Sequence, residues 1–337
     1  MMTNFLIYGA TGYTGQLITR EAVRRGLNPI VAGRDAAKVQ ILADELGLEG
    51  RAFDLSNEER TREGVLGVGV VLNVAGPFAV TSGPLLDAAL YVGTHYLDTT
   101  AELGTFLHTE AADAQAKKAG VMVMSGTGWD VVPSDTLAAR TAARVTDPVS
   151  LVLALKIFVG TPGERIPLLF SKGSMTSALG FAPFAGSVRS GGTITTRDDS
   201  PTRSIDFGAG LEEVGLAPMG DLVTGRHSTG IPEIEVYVAG GVPIPTTAPG
   251  SEVPDGPDAA DRAIGRARVY AKVTGRDGST AEGLVDTPTG YGFTQLAAVE
   301  IASRIIAGDF TPGFQTPASA FGPSLLEGIG DSHFIDL

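Results

Sequence analysis

The residues that most constrain this chain are Gly9-Ala10-Thr11-Gly12-Tyr13-Thr14-Gly15, because of where they stand. They follow an apolar run, Phe5-Leu6-Ile7-Tyr8, and they open a segment, 12–25, whose Thr14, Leu17, Ile18 and Ala22 recur at helical spacing. Strand, glycine turn and helix in that order form the dinucleotide-binding fingerprint. The glycines allow the tight turn, the approach of a pyrophosphate to the backbone, and close helix–strand packing, while the helix start offers N–H groups to the phosphates.

The pattern then repeats without the turn. Short apolar segments at 29–32, 50–53, 68–74, 94–97 and 121–125 read as parallel strands, and 36–46 and 102–118 read as covering helices. Alternation of this kind implies an α/β fold with a Rossmann-type parallel sheet. Beyond about residue 133 the chain gains Gly, Pro, Thr and Ser and longer β-like runs at 151–159 and 233–238, which predicts a second, mainly antiparallel α+β domain. Within it 267–274 and 280–286 flank Gly275-Arg276-Asp277-Gly278, a hairpin turn with Asp-Gly supplying positive φ. The reading divides the chain into 1–132 (NADP-binding), 133–288 (substrate or dimerisation) and 289–337, where a helix over 291–306 and a tail return to the first domain. The Pro- and Gly-rich stretch 243–261 reads as a surface loop or a lid.

Specificity for the nucleotide is read at the end of the second strand. An acid held there, roughly 20 residues past the glycine turn, binds the ribose 2′-hydroxyl of NAD. Here Arg34 comes first and Lys38 lies one helical turn on, a pair suited to a 2′-phosphate, so NADP is favoured and NAD is the lesser alternative through Asp35. Asp54 after the third strand either accepts from the adenine amino group or, like Ser56, caps a helix starting near Asn57. Asn73, Ala75, Gly76 and Pro77 end the fourth strand, at the carboxyl edge where ligands bind.

Candidates for chemistry stand at later strand ends: Tyr96, Asp98 and Glu102 after the fifth, and Asp130 after the sixth. Each also has a structural role open to it, Tyr96 as a core aromatic and Asp98 as a cap. Ser134 and Asp135 read as caps of a helix over 136–145. Lys172 can bind a carboxylate or give a proton if buried, or be solvated. Arg165, Arg189 and Arg226 are further cations for an acidic substrate, whereas 175–188, with Leu179, Phe181 and Phe184, reads as a core helix or as an apolar trough.

Several separated pieces resemble one known family. These are the Gly9–Gly15 turn, Ala32-Gly33-Arg34, Ala75-Gly76-Pro77-Phe78, Tyr96-Leu97-Asp98 with Glu102, and Gly128-Trp129-Asp130-Val131-Val132-Pro133-Ser134-Asp135. Together they look like the saccharopine dehydrogenase-like oxidoreductases, which include trans-acting enoyl reductases of lipid assembly. Ser171-Lys172-Gly173-Ser174 is similar to a Ser-Gly-Gly-Thr element of that family, with Lys172 and Ser174 as departures. Ser228-Thr229-Gly230-Ile231-Pro232 and Gly313-Phe314-Gln315-Thr316-Pro317 extend the likeness. The resemblance implies a β-rich domain after the dinucleotide fold and an acidic role for Asp130. With the cofactor turn it implies an NADP(H)-dependent reductase or dehydrogenase acting on a C=N or C=C bond. The competing reading is an NADP-binding regulator, or an accessory subunit docked on a partner such as a larger synthase.

Composition removes other classes. The net charge of −13 opposes nucleic acid as a partner, and a chain without cysteine has neither disulfides nor thiolate sites. His95, His108, His227 and His333 lack ligand spacing, so no metal is expected. Neither Tyr91, Tyr96, Tyr270 nor Tyr291 has a lysine four residues on, unlike short-chain dehydrogenases. The longest uncharged stretch, 64–80, is broken by Gly67, Gly69, Asn73, Gly76 and Pro77 and falls short of the roughly 20 apolar residues of a membrane span. With no basic leader before Phe5, a cytoplasmic protein with a small-molecule substrate is expected, the second domain being a candidate homodimer face.

Overall fold

The computed structural model describes residues 4–160, 169–199, 201–240 and 255–337. The chain divides into two units: residues 1–100, 105–128 and 294–315 form the first, and residues 101–104, 129–293 and 316–337 the second.

The first unit is built on a parallel sheet. Its strands β1 (Phe5–Tyr8), β2 (Ile30–Gly33), β3 (Gly50–Ala52), β4 (Val70–Asn73), β5 (His95–Asp98) and β6 (Met122–Met124) are joined by a short strand at Gly313–Phe314. The order across the sheet is Gly313–Phe314, β6, β5, β4, β1, β2, β3. Strand order therefore reverses at β1, whose Tyr8 pairs with both Ala32 and Asn73, and the crevice beyond that point is where ligands bind in such sheets. Nearly continuous apolar strands fit a sheet covered on both faces: Leu6, Val71, Tyr96 and Val123 lie in one buried cluster with Leu85, Leu86 and Ala116 from the helices.

Two helices flank the nucleotide end. Helix α1 (Tyr13–Arg24) buries Ile18 and Ala22, and α2 (Ala36–Leu46) buries Val39, Leu42 and Ala43 before Gly47 ends it at φ 67°. The single helix expected over 102–118 is two, Leu103–Ala111 and Asp113–Ala119. Thr109 turns its hydroxyl onto the carbonyls of Thr105 and Phe106, both at 3.1 Å, a back-bonding that bends a helix. Asp113, freed into a new first turn, accepts from the Phe314 amide at 2.9 Å and so fixes the seventh strand, which the sequence pattern does not reveal. From Thr294 onward the helix Gly290–Ile306 belongs to this unit, where Arg25 meets Glu300 at 3.1 Å.

The second unit is centred on the 12-residue strand Pro148–Val159, which runs parallel to Glu233–Ala239 on one side and antiparallel to Arg266–Gly275 on the other. The remaining pairings are antiparallel, including the expected hairpin with Gly278 at φ 85° and an edge strand at His333–Asp336. Thr202–Asp206 and Leu211–Leu216 add a hairpin missed in sequence, where the first strand is largely polar and exposed and the second is interrupted by Glu212, Glu213 and Gly215.

Three local expectations are corrected. No residue of the short helix Lys172–Ser177 or the 3-10 turn Ala178–Phe184 is buried, and Leu179 is 62% exposed, so 175–188 is not a core helix; Gly180 and Pro183 cut it short. The helix expected over 136–145 begins at Val132, with Pro133 in its first turn, so Ser134 and Asp135 lie inside it rather than cap it. Arg189 is buried with its guanidinium on the carbonyls of Leu222 and Gly192, at 2.5 and 2.6 Å, and serves the fold. Arg165 and 243–254 lie outside the described residues, while Asp258, in the rest of the stretch read as a loop, caps a short helix at Ala259–Ala263. Among the described residues no helix is long and apolar enough to cross a membrane.

Candidate active site

At the carboxyl end of β1 the chain turns so tightly that only glycine fits. Gly9 has φ 88°, and a Cβ there would stand 2.8 Å from the Ala75 nitrogen; a Cβ on Gly15 would stand 2.1 Å from the Gly9 carbonyl oxygen. The first contact brings the turn against the Ala75 loop after β4. The second lets α1 start directly above the turn. Gly9 and Ala10 both donate to the Ala32 carbonyl, at 2.9 and 3.1 Å, which ties in the end of β2.

No side chain caps α1 at Gly12 and no acidic residue stands in its first turn, so the positive end of the helix faces outward beside Thr11, Tyr13 and Thr14. That cradle fits a pyrophosphate. Asn73, fully buried, holds the neighbouring loop: its Oδ1 accepts from the Ala75 amide at 3.0 Å and its Nδ2 donates to Thr81 at 3.1 Å. Thr81 in turn donates to the Ala75 carbonyl at 2.5 Å. Gly76 and Pro77 come next, with Pro77 leading into the helix Phe78–Val92.

The nucleotide-selecting residues separate clearly. Arg34 is exposed and has no hydrogen-bond or ion-pair partner among the described residues, while its charge acts on Tyr8 and Asp54. Asp35, the residue that would hold NAD, accepts from the Lys38 amide at 3.1 Å as the N-cap of α2. Lys38 is 70% exposed and reaches Asp35 only at 3.9 Å. Asp54 accepts from the Ser56 amide at 2.8 Å, and hydrogen bonds from the Ser56 side chain and then its amide hold the carboxyl below the usual range; Asn57, not Asp54 or Ser56, caps the next helix. Tyr8 donates to the Phe53 carbonyl beneath this edge, and burial pushes its hydroxyl up to about 12.

Tyr96 and Asp98 are fully buried on β5. The Asp98 carboxylate accepts from Ser125 Oγ at 2.7 Å and from the Gly126 and Thr100 amides, both at 3.1 Å, and thereby locks β5 to the loop after β6. Burial raises it to about 6 against those bonds. Tyr96 accepts from Asn73 at 3.3 Å, and burial holds its hydroxyl well above the ordinary value. Both side chains occupy positions that organise the strand ends.

Asp130 and Lys172 belong to the second unit. Asp130 is partly exposed, and burial of its carboxyl raises it to about 6. Lys172 is exposed and pairs with the exposed Asp255 at 3.1 Å. Glu102 is buried and forms a bridge to Met219. Arg226 is exposed in the last turn of the helix Asp221–Thr229.

Sequence reasoning missed two groups in this unit. Tyr291 accepts from the Ser171 amide at 2.8 Å and shares a 2.5 Å hydrogen bond with Ser174; burial is the main cause that raises its hydroxyl, and Asp130 adds to it. Ser134, Asp135 and Asp221 form a buried polar group between two helices. The only signal for either was a polar residue at an apolar helical position, as with Ser134 and Asp135.

Residues 5–124 match the family described as saccharopine dehydrogenase NADP binding domain. A human saccharopine dehydrogenase-like oxidoreductase is 27% identical over 189 residues, covering 48% of this chain and 43% of that protein. A trans-acting enoyl reductase of Mycobacterium ulcerans is 29% identical over 143 residues, covering 39% of this chain and 33% of that protein. The match thus spans less than half the length of these curated relatives. Saccharopine dehydrogenase (L-Glu forming) from Saccharomyces cerevisiae superimposes with a TM-score of 0.66 over 99% of this chain and 100% of its own, at 13% identity. The chain therefore shares the fold of saccharopine dehydrogenase, and its residues 5–124 are similar to the NADP-binding domain of that family.

Proposed function

We propose that the chain is an NADP(H)-dependent oxidoreductase that moves a hydride to or from a C=N or C=C bond of a small molecule. The observation that carries this reading is the unpartnered, exposed Arg34 beside an uncapped glycine turn, with Asp35 withdrawn as a helix cap. NADP(H), when bound, supplies or accepts the hydride. The backbone at Gly9, Gly12 and Gly15, with Thr11, Tyr13 and Thr14, would hold the pyrophosphate, Arg34 and Lys38 would take the 2′-phosphate, and Asp54 would accept from the adenine amino group. Asn73, which holds the Ala75 loop, would position Ala75, Gly76 and Pro77 for the nicotinamide half.

Asp130 is the group that handles the substrate proton. It combines partial exposure with an affinity raised to about 6, near the range where a carboxyl both gives and takes protons at neutral pH. Of the two bond types, C=C has the better support: the surface from Met175 to Phe184 is apolar and unburied, while Lys172 and Arg189 are engaged within the protein. The relative named as a trans-acting enoyl reductase points the same way.

Titration of the protein with NADPH and NADH tests the reading. NADPH binds more tightly, and Arg34→Ala weakens NADPH about 10- to 100-fold while leaving NADH nearly unchanged. Equal losses for both cofactors sink the assignment of Arg34. NADPH oxidation with a crotonyl thioester, set against a cyclic imine, then separates the bond types. Tight binding without turnover of either probe favours the non-catalytic, NADP-binding regulator.

A further inference from the structure

The helices Val132–Ala142 and Asp221–Thr229 of the second unit pack together through polar residues where apolar ones would be expected. Ser134, Asp135, Asp221 and Thr224 are all fully buried. Four oxygens here lack a hydrogen-bond partner: Asp135 Oδ1, Asp221 Oδ2, Thr224 Oγ1 and Ser228 Oγ. Buried polar atoms without partners are few in native proteins, and four at one helix pair require a common explanation.

Spacing supplies it. Asp221, Thr224 and Ser228 are i, i+3 and i+7, hence on one face, at levels about 4.5 and 6 Å apart along the axis. A separation of that size is one that a single water, with two hydrogen bonds of about 2.8 Å, can bridge. Across the seam stands Asp135, whose Oδ2 accepts from the Ala318 amide at 2.7 Å; the Ser228 and Thr316 hydroxyls stand near enough to lower its carboxyl against the effect of burial, though Asp135 Oδ1 and Ser228 Oγ do not close a well-formed hydrogen bond. The seam runs from Asp221, within electrostatic reach of Asp130, to the last turn of its helix, where Arg226 and His227 are exposed.

Proton counting bears on the state of Asp221. The Ser134 hydroxyl, with a single hydrogen, meets acceptors on two sides: the backbone carbonyls of Val131 at 3.0 Å and Asp130 at 3.5 Å, and the carboxyl of Asp221. Both sides are bonded at once if Asp221 carries a proton and donates it to Ser134. The surroundings agree. The carboxylates that act on Asp221 are Asp135 and Asp130. Arg189 is turned to the Leu222 and Gly192 carbonyls, Arg140 to Asp336, and Glu102 stands behind the bridge to Met219.

We propose that this seam is a hydrated proton path, in which Asp221 stands as a neutral carboxylic acid and Asp135, Thr224 and Ser228 pass protons between Asp130 and the outer end of the helix. This rests on the reading of Asp130 as the proton-handling group. Each proton that Asp130 gives up is replaced by one from Asp221, and Asp221 regains one from water through the hydroxyls, each accepting one proton as it releases another. Burial, which raises Asp221 to about 7 and Asp135 to about 6, places both in the range where such exchange is easy at neutral pH.

The carboxylic-acid C=O stretch of the full chain, read by infrared spectroscopy at neutral pH during transfer to D2O, tests the proposal without turnover. The wild type shows a protonated-carboxyl band that Asp221→Asn lacks. That band shifts on deuteration far faster than the protein unfolds, and the isosteric Thr224→Val slows the shift about tenfold or more. Absence of the band in the wild type overturns the proposal, as does exchange only at the rate of unfolding or a rate untouched by Thr224→Val. Should NADPH never be oxidised while the band behaves as stated, the oxidoreductase reading fails and the path stands.

Discussion

The glycine turn of the first unit and the helix seam of the second are both built to receive something polar, yet they differ in how the chain encodes them. The turn spans seven consecutive residues, and its demands fall on the backbone, where only glycine answers them. The seam joins Ser134 to Asp221, 87 residues apart, through side chains that are individually unremarkable polar residues of two helices. A site made of backbone is legible in order of sequence. A site made of packed side chains exists only once the helices meet.

The comparison breaks most sharply at Gly15. A Cβ there falls 2.1 Å from the Gly9 carbonyl oxygen, a backbone clash that no rotamer relieves, so Gly15→Val abolishes NADPH binding and lowers stability by several kcal/mol, roughly the upper range for single substitutions. Calorimetric titration and thermal unfolding measure both; a folded variant that binds normally would refute the cradle.

Asp221→Asn has a smaller effect that depends on pH. Burial lifts the carboxyl from 3.8 to about 7, so the native state keeps a proton that the unfolded chain releases. Stability from this group is complete below about pH 4 and is lost as pH rises through about 7. At 1.36 kcal/mol per unit the loss is about 4 kcal/mol at most, and coupling to Asp135 reduces it. Relative to the wild type, the Asn variant therefore gains stability as denaturant melts are moved from pH 4 to pH 8. A constant difference across that window would mean that Asp221 is ionised when native.

The smallest effect sharpens the account of Arg34. Asp35 holds the Lys38 amide at 3.1 Å as an N-cap, and Asp35→Ala costs about 1 kcal/mol. NADH affinity stays as it was, because the carboxylate is a cap and not a ribose ligand. A selective fall in NADH binding would reverse the assignment.

How far the sequence reaches is clear from these cases. The parallel strands and the Asp277-Gly278 hairpin both rest on apolar periodicity and turn chemistry, which are local. Asp54 and Asp35 were ambiguous because a carboxylate just before a helix suits a cap and a nucleotide equally. The structure gives the cap before Glu58–Gly64 to Asn57, and the cap before Ala36–Leu46 to Asp35. The break at Thr109, the strand at Gly313–Phe314 and the bare surface of Lys172–Phe184 were not legible. Each depends on contacts that residue spacing does not show: the Thr105 and Phe106 carbonyls onto which Thr109 turns its hydroxyl, the Asp113 carboxylate that holds Phe314, and the exposure of Leu179.

The two sheets take their last strands from one short stretch of chain, Gly313–Phe314 for the first and His333–Asp336 for the second. Neither unit is a continuous segment, since the first resumes at Thr294 and the second at Thr316. During synthesis each sheet must therefore wait with an unpaired edge until these late residues have left the ribosome, and long-range pairing of this sort is slow and exposed to aggregation. A protein arranged in this way gains nothing from an early-folding amino-terminal half. Cutting it after the glycine-turn domain would yield a sheet with a raw edge at β6, prone to recruit a stranger's strand in place of its own.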